Sequence, residues 1–397
     1  MIPRIASEKL KELFEQFPVV TVLGPRQSGK TTLVQNFLKD MPCYNLEDLA
    51  TRQFAQEDPY GFMDQMPEGG ILDEVQRVPE LLPLIQVIVD KKKRNGIFIL
   101  SGSHQFLLME SVTQSLAGRT ALLYLLPLSF EELNNAQLLK PTEQKYTYYL
   151  KKGFYPKVHA EQVNEYDIYS SYYQTYVERD VRELIHIQNL SLFRKFVSLC
   201  AGRIGQILNK DSLSRDVGIS PTTVEQWFSV LEASFILFRL TPYHQNFGKR
   251  LIKSPKLYFY DVGLACYLLN IEFENQLVNH PLRGNIFENM QILEALKYRM
   301  GRGKNHNLSF YRDSNGNEID AVYESAQEVS LIEIKSSQTY IPDFYKGIDY
   351  FNKHKSAKHN VIVYGGSEFQ KRTNFHLVPW FALYQEFQEW EKITTTL

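Results

Sequence analysis

Short apolar runs alternate with helical patterns along the first third of the chain. Apolar runs lie at residues 19–24, 70–74, 97–103 and 121–128, and helical periodicity occupies residues 30–38 and 81–93. Such alternation predicts a parallel sheet whose two faces are covered by helices. We therefore expect an α/β domain over this part of the chain.

The pattern changes from residue 131 onwards. Residues 131–173 are polar, tyrosine-rich and helical in character, and residues 191–241 are mostly helical. A helix at 284–300 presents Ile286, Met290, Leu293 and Leu296 on one face, and strands follow at 308–311, 319–323, 331–335 and 361–364. Since 397 residues exceed one ordinary domain, we predict three domains, at residues 1–165, 166–255 and 256–397.

Composition narrows the class of protein. A hydrophobic fraction of 44% allows real cores, and a net charge of −1 means that any nucleic-acid surface is local. The three cysteines lie far apart, which favours buried thiols in a reducing compartment over a zinc site or disulfides. The sequence has neither an apolar stretch of membrane-spanning length nor a signal-peptide pattern, so we expect a cytoplasmic protein without membrane contact.

A phosphate-binding loop lies between the first predicted strand and the first helix after it. The pattern GxxxxGK[ST] is matched by Gly24, Pro25, Arg26, Gln27, Ser28, Gly29, Lys30 and Thr31. The glycines let backbone N–H groups face phosphates, Lys30 adds charge at the β and γ positions, and Thr31 ligates Mg²⁺. The start of the helix adds its positive dipole end. We therefore predict ATP and Mg²⁺ as ligands.

An acidic pair follows the apolar run that begins at residue 70. Asp73, at the carboxyl end of that strand, can hold the magnesium shell, and the adjacent Glu74 can polarise the attacking water. Together with the phosphate loop, this pair predicts ATP hydrolysis.

Three further residues have weaker signals. Ser101 and Ser103 end the next strand, where a hydroxyl could sense the γ-phosphate or merely cap a turn. Arg119 precedes the fifth strand. It could act as an arginine finger on a neighbouring subunit, which leaves a homo-oligomer open, or it could be an ordinary surface arginine or part of an internal ion pair.

Residues 211–231 have the spacing of a helix-turn-helix. A first helix would end at Gly218, and Ser220 would cap a second helix that begins at Pro221. The core-facing residues would be Leu213, Val217, Val224, Phe228 and Leu231, and the exposed face of the second helix would carry Thr222, Thr223, Glu225 and Gln226. DNA reading in a major groove and a packing role both stay open, because this face has no lysine or arginine.

A basic cluster follows the helix-turn-helix. It comprises Lys249, Arg250, Lys253 and Lys256. These residues could contact DNA phosphates or form an ordinary solvated face.

Four charged residues in the last third have the order of a nuclease metal site. Glu288 lies on the helix at 284–300, Asp320 on a strand, and Glu333 on the next strand with Lys335 two residues on. The three carboxylates can hold Mg²⁺, and Lys335 can orient or activate the water that attacks a phosphodiester. The alternatives are surface charges or an inactive, retained fold.

Taken together, these motifs resemble the prokaryotic AAA+-like ATPases that carry a C-terminal domain of long-unassigned function. The resemblance covers residues 17–364 and rests on segments 24–31, 72–76, 101–103, 116–119, 176–180, 248–256, 260–264, 284–288, 318–320 and 332–335. The last three segments are similar to PD-(D/E)xK nucleases. The resemblance implies a P-loop parallel-sheet ATPase core, a helical winged-helix-like middle and an α/β nuclease-like C-terminal domain.

The sequence therefore predicts an ATP-binding and ATP-hydrolysing protein whose other two domains bind DNA and could cleave it. The competing interpretation is a nucleotide-dependent switch or scaffold that binds a protein partner and carries an inactive nuclease-like fold. The role of Glu178, Arg179 and Asp180 stays open.

Overall fold

The computed structural model describes residues 2–103, 115–161, 163–181, 189–243, 253–325 and 328–395. The chain forms two compact units. The first contains Met1–Leu128, Ala233–Phe235 and Arg299–Lys304, and the second contains Ser129–Glu232, Ile236–Tyr298 and Asn305–Leu397. The division into three domains at 165 and 255 stays a prediction.

The first unit alternates strands and helices. In chain order its elements are α1 (Ala6–Gln16), β1 (Val19–Leu23), α2 (Lys30–Phe37), β2 (Cys43–Asn45), α3 (Leu49–Glu57), α4 (Pro59–Asp64), β3 (Gly70–Asp73), a 3₁₀ turn (Val75–Arg77), α5 (Leu81–Lys92), β4 (Phe98–Gly102) and β5 (Thr120–Tyr124). The predicted strands and helices of this part are confirmed, and β2 is an additional short strand.

The strands of this unit form a parallel sheet. Within the described residues, its order is β2-β3-β4-β1-β5. Every residue of β1, β3 and β4 is buried, as expected for a sheet covered on both faces. Because β3, β4 and β1 are neighbours and parallel, the segments that follow them meet at one edge, where ligands of such sheets bind.

The second unit begins with helices. They are α6 (Phe130–Asn135), α7 (Tyr146–Lys152), α8 (Pro156–Ala160), α9 (Glu165–Tyr172), a π-helix (Tyr173–Val181), α10 (Leu190–Ala201), α11 (Lys210–Val217) and α12 (Pro221–Ala233). The antiparallel strands β6 (Leu237–Leu240) and β7 (Lys256–Phe259) then pair with each other, and both were missed in the sequence pattern. The side chains of residues 178–180 lie outside the described part.

The predicted helix-turn-helix spacing is confirmed. Helix α11 ends at Val217, and Gly218 caps it with a φ of 91° that is readily adopted only by glycine. Helix α12 begins at Pro221, and the Ser220 hydroxyl caps it by accepting a hydrogen bond of 3.0 Å from the Thr223 N–H. The five predicted core residues of the motif are buried.

A mixed sheet forms the rest of the second unit. Its elements are α13 (Val262–Leu268), α14 (Glu274–Val278), α15 (Arg283–Met300), β8 (Leu308–Arg312), β9 (Glu318–Ser325), β10 (Glu328–Lys335), α16 (Lys346–Asn352), β11 (His359–Tyr364), β12 (Gln370–Lys371), β13 (His376–Pro379) and α17 (Leu383–Thr395). Among the residues described, the strand order is β12-β13-β11-β10-β9-β8. Neighbours from β8 to β10 are antiparallel, and β10, β11 and β13 are parallel. The α/β core, the helical middle and this separate sheet confirm the predicted fold class.

Helix α15 differs from its prediction of a single buried face. Its polar residues Asn289, Gln291 and Glu294 are buried as well. Each forms hydrogen bonds to backbone groups: Asn289 with Phe259 at 2.7 and 2.8 Å, Gln291 with a carbonyl at 2.8 Å, and Glu294 with an N–H at 2.7 Å. The helix is therefore enclosed, and these partners replace water for most of its buried polar groups, although Oε1 of Gln291 has no hydrogen-bond partner among the described residues.

Candidate functional sites

The phosphate loop joins the end of β1 to the start of α2. Gly29 has a φ of 91° at the N-terminus of α2, and a side chain at Gly24 would overlap the backbone carbonyl of Leu125. The loop geometry therefore depends on glycine at both positions. The predicted loop lies at the edge of the sheet where β1 ends and α2 begins.

Lys30 is buried under the loop. Its ammonium donates hydrogen bonds of 2.9 Å to the carbonyls of Gly24 and Pro25. Burial lowers the pKa of Lys30, and the negative charges of Glu74 and Asp73 only partly offset that effect. An anion at the loop would therefore stabilise the charged form of this side chain.

Thr31 and Asp73 form the first pair of the site. The Thr31 hydroxyl donates a hydrogen bond of 2.7 Å to Asp73 Oδ2, and the Ser101 hydroxyl donates to Asp73 Oδ1. Two strand ends and one helix start thus bring three oxygen-bearing side chains together. Oxygen ligands of this kind are those that Mg²⁺ prefers. The function of Ser101 as a phosphate sensor stays a prediction.

Glu74 adopts a left-handed backbone conformation with a φ of 57° directly after β3. Its Oε2 accepts a hydrogen bond of 2.9 Å from the Ser103 hydroxyl and another from the Gln76 amide. Burial raises the pKa of Glu74, but Lys30 and the two hydrogen bonds outweigh it, so that the pKa lies below its ordinary value. The carboxylate is therefore ionised and held in one orientation.

Ser28 provides a test of whether the loop fits a phosphate. Its hydroxyl oxygen is fully buried and forms no hydrogen bond with described residues. Buried hydroxyls are almost always hydrogen-bonded, so this group fits an additional polar ligand at the loop. With the Lys30 ammonium and the Thr31–Asp73 oxygens beside it, the residues fit a nucleotide phosphate with Mg²⁺.

Two arginines near the loop are engaged in ion pairs. Arg26 pairs with Glu47, and Arg77 lies 3.8 Å from the same carboxylate.

Arg119, the predicted arginine finger, forms a two-pronged ion pair with Asp90 of α5, with distances of 2.7 and 2.8 Å. This ion pair lies at the surface of the first unit. The action of Arg119 on a neighbouring subunit stays a prediction.

The charged residues predicted in the last third converge in the second unit. Lys335 lies 2.5 Å from Glu333 and 3.5 Å from Asp320, whose Oδ2 also accepts a hydrogen bond of 2.8 Å from the Ile334 N–H. Glu288, on α15, is linked to this cluster through Lys256. We call Glu288, Glu318, Asp320, Glu333, Lys256 and Lys335 the carboxylate centre.

Lys256 corrects the interpretation of the basic cluster. Only 3% of its side chain is exposed, so it cannot contact a DNA phosphate at the surface. Its ammonium lies 2.8 Å from Glu288, 2.5 Å from Glu318 and 3.7 Å from Asp320. Of the other members, Lys253 is exposed, and residues 249 and 250 lie outside the described part of the chain. The sequence pattern assigned neither Lys256 nor Glu318 to this centre, although both lie in segments that carry the family resemblance.

Protonation in the carboxylate centre is strongly perturbed. Burial raises the pKa of Glu288 to about 7, with Lys256 opposing and Asp320 adding to the shift. Burial and the charge of Asp320 raise the pKa of Glu333 to about 8. Burial lowers the pKa of Lys256, but Tyr258 and the surrounding carboxylates outweigh it and leave it well above its ordinary value. Perturbation of several neighbouring groups is typical of functional sites and of buried ion-pair networks.

Glu333 tests whether this centre fits a metal ion. Its Oε2 is buried and has no hydrogen-bond partner among the described residues. An orphaned carboxylate oxygen beside Asp320 fits a hard cation such as Mg²⁺. Glu288, in contrast, directs one oxygen at Lys256 and accepts a hydrogen bond from Tyr258 at that oxygen.

The basic residues that contact the second helix of the helix-turn-helix are held in ion pairs. Glu225 of α12 pairs with Arg239 at 2.7 Å and with Lys210 at 3.0 Å, and Arg239 also pairs with Glu232. Thr222 and Gln226 are exposed on the same helix. Lys210 and Arg239, the two basic residues that contact Glu225, are thus neutralised by acidic neighbours.

No helix among the described residues combines the length and apolar character needed to cross a bilayer.

Three family models match the chain. Residues 16–134, which include the phosphate loop and the Asp73–Glu74 pair, match a family described as an AAA domain. Residues 143–275 and 283–383 match two families that are each described as a domain of unknown function, DUF8612 and DUF4143. The first match supports an AAA+-like P-loop ATPase, and the other two assign no activity to the rest of the chain.

Two mycobacterial proteins are similar over most of the chain. They are the uncharacterized proteins Mb2031c of Mycobacterium bovis and Rv2008c of Mycobacterium tuberculosis. Each is 28% identical over 338 residues, which cover 85% of this chain and 74% of the relative.

Two solved structures match parts of the chain. The Walker-type ATPase PABY2304 of Pyrococcus abyssi matches with a TM-score of 0.41 and 17% identity, over 66% of this chain and 94% of that one. AMPPCP-bound DnaA from Aquifex aeolicus matches with a TM-score of 0.30 and 16% identity, over 57% of this chain and 86% of that one. At TM-scores this low, neither likeness bears on function.

Proposed function

We propose that this protein binds ATP with Mg²⁺ and hydrolyses it at the phosphate loop. The observation that carries the proposal is the Thr31–Asp73 hydrogen bond of 2.7 Å directly beside an ionised, buried Glu74. These groups lie where a P-loop ATPase holds its metal and its attacking water. The AAA-domain match over residues 16–134 supports the same assignment.

Each residue of the site has a distinct role in this proposal. Backbone N–H groups of the loop and the Lys30 ammonium bind the β- and γ-phosphates, while Thr31 and Asp73 supply oxygen ligands. Bound Mg²⁺ neutralises charge on the phosphate oxygens. Glu74 accepts a proton from the attacking water, and the Ser103 hydroxyl keeps its carboxylate oriented.

Two substitutions separate binding from hydrolysis. Lys30→Ala should abolish binding of a fluorescent ATP analogue, because it removes the buried charge under the phosphates. Glu74→Gln should retain binding and release phosphate roughly 10²–10⁴-fold more slowly, which is the usual contribution of a general base. Glu80→Gln, an exposed carboxylate in the same segment, is the matched control. Wild-type turnover by Glu74→Gln would refute the assignment of the base.

A second candidate function is metal-dependent DNA cleavage by the carboxylate centre. The observation that favours it is the orphaned Glu333 Oε2 beside Asp320 and Lys335. Asp320 and Glu333 would hold Mg²⁺, which polarises a phosphodiester oxygen. Lys335, with a third of its side chain exposed, can reach a phosphate or orient water. The helix-turn-helix, followed by the β6–β7 pair, would act as a winged-helix-like module that binds the duplex.

The competing function is a nucleotide-dependent switch or scaffold that binds a protein partner. It is favoured by the neutralisation of Arg239 and Lys210 by Glu225, which leaves the second helix without a basic surface for phosphate contact. DNA binding that weakens with salt and with changes at Lys249 and Arg250 would argue against it.

One experiment decides between the two. Wild-type protein and Lys335→Ala are incubated with single- and double-stranded DNA, with Mg²⁺ or Mn²⁺, with and without ATP. Cleavage by wild type that Lys335→Ala loses, and that the exposed control Lys346→Ala retains, would support a nuclease. Its dependence on ATP, and its response to Lys30→Ala, would report coupling to the ATPase. No cleavage under any condition would favour the switch.

A further inference from the structure

Lys256 lies where a cation site would be expected in the carboxylate centre. It is the first residue of β7, and its ammonium contacts carboxylates from two elements, Glu288 of α15 and both Glu318 and Asp320 of β9. Tyr258, two residues further on the same strand, donates to the same oxygen of Glu288. Three carboxylate oxygens around one position are the kind of ligand set that binds a hard divalent cation. Here the ammonium of Lys256 occupies that position.

Asp320 divides the centre into two cation positions. Its Oδ1 faces Lys256 at 3.7 Å, whereas its Oδ2 accepts the Ile334 N–H at 2.8 Å and lies 3.5 Å from Lys335. The orphaned Glu333 Oε2 belongs to the second position, beside Lys335. Sharing one aspartate between two cations is the arrangement of two-metal sites that act on phosphodiesters.

The position beside Glu288 is already occupied by a cation of the chain. Lys256 contacts Glu288 and Glu318, and Arg312 lies 2.6 Å from the other oxygen of Glu318. A second divalent cation would have to compete with an ammonium that is 3% exposed and already surrounded by carboxylates.

We propose that Lys256 takes the place of a second divalent cation, so that the carboxylate centre binds one metal ion, held by Asp320 and Glu333. This inference rests on the proposed metal site, and it deepens it by assigning Glu288 to Lys256. Glu288 and Glu318 are then positioning residues that act through the lysine.

The test is a count of bound Mn²⁺ by titration calorimetry and electron paramagnetic resonance. The full-length protein is used without nucleotide, and the blank is Asp320→Asn, which disturbs both positions. The counts compare wild type with Lys256→Gln and the nearly isosteric Lys256→Met, each checked for folding by circular dichroism and thermal melting. Lys253→Gln is the matched control, because that side chain is exposed nearby.

The expected result is one Asp320-dependent ion in wild type and two in a folded Lys256 variant. Two ions in wild type would overturn the role of Lys256 and leave the metal site standing, as would one ion in both proteins. No ion in wild type but one in the variant would support Lys256 as the resident cation and refute the metal site at Glu333. No ion in either would overturn both. Should neither variant fold, the wild-type count alone decides, since two ions contradict the proposal and one supports it.

Discussion

A partly buried histidine in the second unit makes stability sensitive to mild acid. His159, on α8, is half-buried, and its Nε2 lies 2.8 Å from the Gly153 carbonyl. The pKa of His159 is lowered from 6.5 to about 4, mainly by burial and also by the charges of Lys152 and Lys297. The hydrogen bond to the Gly153 carbonyl opposes these effects. Glu294, which pairs with Lys297 at 2.9 Å, moderates the second of these charges.

The sign of the effect follows from the two protonation states. Above pH 6.5 the ring is neutral in the folded and unfolded chain, so His159 adds no pH dependence. Below that value the unfolded chain binds a proton that the folded chain refuses, and stability falls until about pH 4. The difference between the two pKa values corresponds to about 3.4 kcal/mol at full effect, and about 2 kcal/mol is lost by about pH 5.

The assay is urea unfolding of wild type and His159→Gln between about pH 7.5 and about pH 5. Glutamine keeps an amide N–H for the Gly153 carbonyl and does not titrate. The variant should start with a constant deficit near neutrality and gain about 2 kcal/mol on wild type by about pH 5. Other titrating groups act in both proteins and cancel in the difference. Parallel stability curves would refute the reasoning.

The remaining predictions concern the nucleotide site. Gly24→Ala should abolish binding of a fluorescent ATP analogue in a protein that remains folded by circular dichroism, because the added methyl overlaps the Leu125 carbonyl. If Arg119 acts on a neighbouring subunit, Arg119→Ala should lower ATP turnover by about 10³-fold or more, whereas Asp90→Ala, which breaks only their ion pair, should not. Equal rates for the two variants would assign Arg119 to the ion pair. Removal of divalent cations with EDTA should stop phosphate release, and turnover that persists in EDTA would contradict the roles of Thr31 and Asp73.

Much of the first unit could be predicted from local sequence. The strands that carry the site are continuous apolar runs that end in polar residues, as at Asp73 and Ser101, so that each signal lies within a few residues. The predicted segment 121–128 extends beyond β5, which ends at Tyr124, because the chain stays apolar and buried for several residues after the strand ends. Short strands such as β2, β6 and β7 were missed, since three or four residues carry too little periodicity.

The contacts within the candidate sites were harder to predict from local sequence than the strands that carry them. Pairing of Ser101 with Asp73, and of Ser103 with Glu74, could be anticipated only as proximity at one sheet edge. The ion pair of Arg119 depends on where α5 packs, which no local pattern specifies.

The sequence by itself determined the phosphate loop, because eight consecutive residues between a strand and a helix contain all the chemistry that the loop needs. It also determined the order of Glu288, Asp320, Glu333 and Lys335 along the chain. Only the tertiary structure decided which cation these carboxylates contact. Lys256 lies 32 residues before Glu288 and on a different element, and its burial between α15 and β9 results from packing. From the sequence, a lysine in a basic stretch is expected to be a solvated surface charge, and only the fold shows that this one is surrounded by carboxylates.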